Sequence, residues 1–113
     1  MINGYGENSF RISGEVYRGS IIIGPRQTLA WYPPEKASDL TIDHILPHLG
    51  KMPPPLFILG VGGAPAAPMS DLSASLKGRG IALELMSTAA ACRTWNVLMS
   101  EGRDAAAGVY AVV

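Results

Sequence analysis

The sequence predicts an α/β fold: a single compact domain over residues 1–113, with a mixed sheet made of an N-terminal antiparallel meander and a C-terminal βαβαβ unit. Three observations predict it. Apolar and polar residues alternate between Phe10 and Tyr32, as half-buried strands require. The unbroken apolar run Leu56–Leu59 reads as a buried parallel strand, and the run Ile81–Met86 reads as the next strand. Each run is followed by a segment of helical character, so the second half reads strand, helix, strand, helix, strand.

The elements follow in order. Phe10 to Ile23 reads as two strands, with Ser13-Gly14-Glu15 as the turn and a bend at Gly19-Ser20. Gly24-Pro25-Arg26-Gln27 is a second turn, and Thr28 to Tyr32 a third strand, ended by Pro33-Pro34. Ser38 to Thr41 offers caps for a short helix through Ile42, Ile45 and Leu46, which Pro47 cuts short or kinks. Pro53-Pro54-Pro55 is a stiff connector. After the strand Leu56–Leu59 and the turn Gly60 to Gly63, Ser70 caps a helix from Asp71 to about Lys77, with Gly78 or Gly80 ending it. After Ile81–Met86, Ser87 or Thr88 caps a helix to about Glu101, closed by Gly102. Ala105 to Val112 is the last strand. Short connections make the three later strands parallel neighbours, and the meander extends their sheet with antiparallel strands.

Composition excludes several classes. Nine basic and nine acidic residues cancel, which argues against nucleic acid as a partner and against an anionic membrane surface. Zero net charge also gives weak self-repulsion, so homo-oligomerisation is allowed. No apolar stretch approaches the roughly 20 residues of a membrane span. The start, Met1 to Gly6, lacks the pattern of a secretory signal. The single cysteine cannot form an internal disulfide and fits a reducing, cytoplasmic compartment.

Candidate functional residues concentrate at the start of the last helix. Ligands in open α/β sheets bind beyond the carboxyl ends of the parallel strands. Two segments leave there: the loop with Gly60 and Gly62, and Ser87-Thr88. Backbone donors of Ala89 to Ala91 would be free for an anion, and Arg93 could offer a planar fork to a carboxylate or phosphate. A cation near a helix start opposes the dipole, so Arg93 should have a compensating partner. Arg93 and Asn96, three apart, share one side of the helix, while Thr88, Cys92, Trp95 and Met99 share another that faces the core. The plainer alternative has Thr88 capping, Cys92 packing as a small hydrophobe and Arg93 pairing with a carboxylate of the fold. No histidine stands near Cys92 in sequence, so no catalytic pair is assignable.

Other motifs carry less. His44 and His48 have metal-binding spacing, but Pro47 lies between them and no third ligand stands out, so no metal site is assigned. Gly60-Val61-Gly62-Gly63 departs from a dinucleotide fingerprint, with Pro65 at the sixth position, and lacks the lysine of a phosphate loop. No cofactor is therefore expected.

The segment Thr88-x-Ala90-Ala91-Cys92-Arg93-Thr94-Trp95-Asn96, with Leu98 and Glu101-Gly102-Arg103, resembles the signature of the domain-of-unknown-function family numbered 498. Phe10 to Gly14, Tyr17-x-Gly19-Ser20 and Gly60-Val61-Gly62 resemble that family's first hairpin and glycine loop. The family includes mitochondrial complex I assembly factor 3 and many small bacterial and archaeal proteins. Val61 stands where many relatives have a hydroxyl residue, and Trp95 replaces a smaller aromatic. The resemblance implies one α/β domain without an established enzyme activity, and a role in interaction or assembly with an unidentified protein partner. The working surface would combine Gly60, Gly62, Ser87, Thr88, Cys92, Arg93 and Asn96. The second reading is a small enzyme or binding module for an anionic metabolite at the same edge, near Arg93.

Overall fold

The computed structural model describes residues 1–113. Eight strands, two α-helices and three short 3-10 turns form two sheets around two apolar cores. β1 (Ile2–Gly6), β2 (Ser9–Ile12) and β3 (Glu15–Arg18) make a three-stranded antiparallel sheet. Both of its hairpins turn on two residues with positive φ, Glu7-Asn8 and Ser13-Gly14. That backbone twist matches the strands it joins, which is why such short loops close here.

The main sheet has five strands in the order β5-β4-β8-β6-β7. β6 (Leu56–Gly60) is central and pairs in parallel with β7 (Ala82–Met86) and β8 (Ala106–Val109). β4 (Ile21–Ile23) and β5 (Thr28–Ala30) form an antiparallel hairpin that joins the sheet along β8. α1 (Ser70–Lys77) and α2 (Thr88–Ser100) complete the expected βαβαβ unit.

Four local readings are corrected. The meander divides at Gly19-Ser20, where Gly19 has φ +82°, so β3 and β4 enter different sheets instead of forming one long strand. β1 is an additional strand in a glycine-rich segment with weak intrinsic strand preference. The expected helix after Ser38 is three separate 3-10 turns, Ala37–Asp39, Ile42–His44 and Leu46–His48, with Pro47 opening the last. α1 begins at Ser70 itself, after Met69 in the left-handed conformation, and its N-cap makes no side-chain hydrogen bond.

Strand alternation sorts the core into two layers. One face of the main sheet, with Ile21, Ile23, Ile58, Ala107 and Val109, packs on Ala91, Cys92, Trp95 and Leu98 of α2. The three-stranded sheet closes this layer with Ile2, Phe10 and Ile12. The opposite face, with Ile22, Phe57, Leu59 and Ala106, packs on Trp31, Ile45, Leu72, Leu76 and Ile81. Trp31 lies against the sheet where Gly108 leaves room: a Cβ there would come within 2.9 Å of both Trp31 and Phe57. No helix is long and apolar enough to cross a membrane.

Candidate functional site

The joint between β7 and α2 sits at the carboxyl end of the parallel strands, as the spacing of the chain predicts. Ser87 is the N-cap, with extended backbone and its Oγ accepting from Ala90 N at 3.1 Å. Thr88 is fully buried and does different work. Its Oγ1 accepts from Gly62 N at 3.0 Å and donates to Tyr110 O at 2.7 Å, while its own N–H donates to Gly62 O at 2.8 Å. One threonine thus ties the glycine loop, the helix start and the end of β8 together. Gly60 permits this approach, because a Cβ there would lie 2.8 Å from the Ala91 Cβ. Gly62 supplies a φ of +91° at the turn.

These bonds consume the groups expected to hold an anion. Ala90 N is satisfied by Ser87 Oγ, Ala91 N by Ser87 O at 2.9 Å, and Thr88 N by Gly62 O. Only the N–H of Ala89 is left at this helix start. The expectation of free donors from Ala89 to Ala91 is corrected accordingly.

Arg93 and Asn96 part company. Arg93 is exposed and makes no ion pair; the one ion pair in the chain joins Arg103 to Glu101 at 4.0 Å. The expected compensating partner is missing because Arg93 is the sixth residue of α2, beyond the first turn in which the dipole acts strongly. Asn96 is half-buried and its amide is fully committed. It accepts from Ile2 N and donates to Ile2 O, both at 2.8 Å, so it pairs with β1 as a strand residue would. It is thus not free to act beside Arg93.

Cys92 is buried in the α2 layer. Burial pushes its thiol up to about 11, and the neighbouring Arg93 charge offsets only part of that. A thiol so raised is not a nucleophile at neutral pH. The main sheet also separates it from His44. The backbone carbonyl of His44 accepts from Trp31 Nε1 at 2.8 Å on the opposite layer, and its Nδ1 accepts from Thr41 N at 3.0 Å. No group of three or more His, Cys, Asp or Glu converges on one point.

A concavity of about 1130 Å³ lies elsewhere, at the amino ends of β6 and β8. Tyr17, Arg26, His48, Trp95 and Asp104 are among its walls. Reasoning from the carboxyl ends of the strands could not find it, because its walls come from strands, turns and a helix distant in sequence.

A three-stranded sheet set over a mixed five-stranded sheet and its long helix defines the class. The same fold is found in a Mth938-like domain of Bordetella pertussis, with a TM-score of 0.79 at 20% identity, covering 98% of this chain and 85% of that one. The chain belongs to the family of proteins of unknown function DUF498/DUF598, whose model matches residues 2–110. It is 36% identical over 108 residues to an uncharacterised protein of Rhodobacter capsulatus, covering 96% of this chain and 82% of the relative. It is 32% identical over 110 residues to NADH dehydrogenase [ubiquinone] 1 alpha subcomplex assembly factor 3 of Danio rerio. That match covers 96% of this chain and 63% of the zebrafish protein, so the chain spans somewhat under two thirds of that relative.

Proposed function

We propose that the protein is a non-catalytic interaction protein of the assembly-factor kind, working in a reducing, cytoplasmic compartment on a protein partner. By analogy with the zebrafish relative, assembly of a respiratory complex is the process it would serve. The observation that carries this reading is the contrast at the α2 start. The hydroxyls of Ser87 and Thr88 are spent inside the fold, while the guanidinium of Arg93 stands free on an exposed rim. Such a rim suits a partner carboxylate or carbonyl, which Arg93 can grip with two parallel donors. The raised thiol of Cys92 supports the non-catalytic half of the proposal.

The test is Arg93→Ala. An exposed cation without a partner should cost within about 0.5 kcal/mol of stability. Partner capture from the native cell, read by mass spectrometry, should fall sharply against the intact protein. If the variant melts early and the intact protein enriches nothing, Arg93 is structural and the proposal fails.

A further inference from the structure

The open edges of the two sheets are not equally protected. β5 is only three residues long and lies between Pro25 and Pro33. β1 is held by Asn96, and β3 carries Glu15 and Arg18 along its four residues. β7 is the exception: a five-residue strand at the end of the main sheet, without proline and with one charge, Glu84.

Its hydrogen bonds show which groups are unused. Ala82 N donates to Pro55 O and Met86 O accepts from Val61 N, so Ala82, Glu84 and Met86 point their backbone groups at β6. In a parallel ladder the intervening residues point the other way. The N–H and C=O groups of Leu83 and Leu85 therefore face outward, with no strand beside them. The Leu85 side chain adjoins a shallow depression of about 430 Å³ formed with Pro65, Ala66, Ala67 and Pro68. Glu84 projects from the other face of the strand, exposed and without an ion pair.

We propose that the β7 edge is a docking strand for an extended segment of a partner protein that places a basic residue across from Glu84 and an apolar residue, one position away, in the depression at Leu85. Strand addition supplies main-chain bonds, and alternate side chains supply the selectivity. A second copy of this chain fits poorly. The two-fold antiparallel pairing that uses both Leu83 and Leu85 sets Glu84 directly against its own copy, and like charges so placed are destabilising. The inference shares the protein-interaction reading above but makes no use of Arg93.

The probe is a short capped peptide with one central lysine flanked by valines and threonines. The comparison peptides carry glutamate at the centre or N-methyl groups on the ladder amides. Binding of the lysine peptide to the full chain should slow amide exchange at Leu83 and Leu85, with affinity about fivefold above that for the glutamate peptide. N-methylation should abolish it, Glu84→Arg should reverse the charge preference, and Arg93→Ala should leave it unchanged. Absence of protection at Leu83 and Leu85, or equal binding of both charged peptides, overturns the proposal. So does a peptide-free dimer in sedimentation with those two amides already protected, which would assign the edge to a second copy.

Discussion

At the scale of single residues, two side chains on α2, Cys92 and Thr88, do separate work on one helix. Cys92 is a core group whose ionisation the fold resists. Alkylation at neutral pH should therefore be slow in the native protein and fast in denaturant, and rapid native labelling would show a thiolate that burial forbids. The same shift has a pH signature. The unfolded chain releases this proton near its ordinary value of 9.0 while the folded chain holds it until about 11, so stability falls as pH rises between those values. Tyr110, pushed up to about 12 chiefly by burial and secondarily by Asp39, adds its own loss at higher pH. Melts of the protein and of Cys92→Ala across this range should diverge in slope, the variant falling less steeply. Thr88 is the residue where loss of one oxygen matters most. Thr88→Val keeps the shape but strands Gly62 N and Tyr110 O, at a cost of about 1–3 kcal/mol. Chemical denaturation checks it, and a cost near zero would mean that the joint relaxes without that hydroxyl.

At the scale of elements, legibility followed the strength of local signals. The run Leu56–Leu59 was readable because a strand buried on both faces leaves an unbroken apolar string, and Ile81–Met86 was readable as a mostly apolar stretch between Gly80 and the Ser87 cap. α2 was readable from its cap, its spacing and Gly102, and the core face of Thr88, Cys92 and Trp95 is buried as that spacing requires. β1 was not readable, because its pairing is imposed by β2 and by a clamp from Asn96, 94 residues away. Nor was the division of the meander legible: Gly19 reads equally as a bulge or a break, and only tertiary packing decides. At the candidate site, the position of the joint was legible and the allegiance of its polar groups was not. Hydroxyl and amide side chains look available in a sequence until their backbone partners are in place. Glycines behave alike: Gly60 reads as the turn after a strand, yet it and Gly108 both stand where a neighbour presses on the chain. Gly108→Ala would force its methyl against Trp31 and Phe57 and should cost about 1–3 kcal/mol. The melting temperature should fall, and the Trp31 environment should change in near-ultraviolet circular dichroism. An unchanged melt would mean that the indole shifts freely.

At the scale of the whole molecule, α2 is covered on one side by the main sheet and on the other by the three-stranded sheet. The main sheet holds its helices through continuous strands. The smaller sheet is tethered by fewer bonds: the Asn96 clamp on Ile2, and Asn8 N donating to Val112 O at 2.8 Å. Ile2, Phe10 and Ile12 share one core with Cys92 and Trp95, so opening of the smaller sheet would uncover the α2 face without melting the rest. Stability distributed in this way lets a unit open alone. Asn96→Ala removes both clamp bonds and leaves the main sheet intact. Cys92 labelling in native buffer should then accelerate by about tenfold or more, the factor expected for about 1.4 kcal/mol of lost tethering. Amide exchange should quicken in β1, β2 and β3 while β6 and β8 keep their protection. If labelling and exchange in all strands instead rise together, the two sheets form one cooperative unit, and the smaller one is a wall of the core that does not move apart from it.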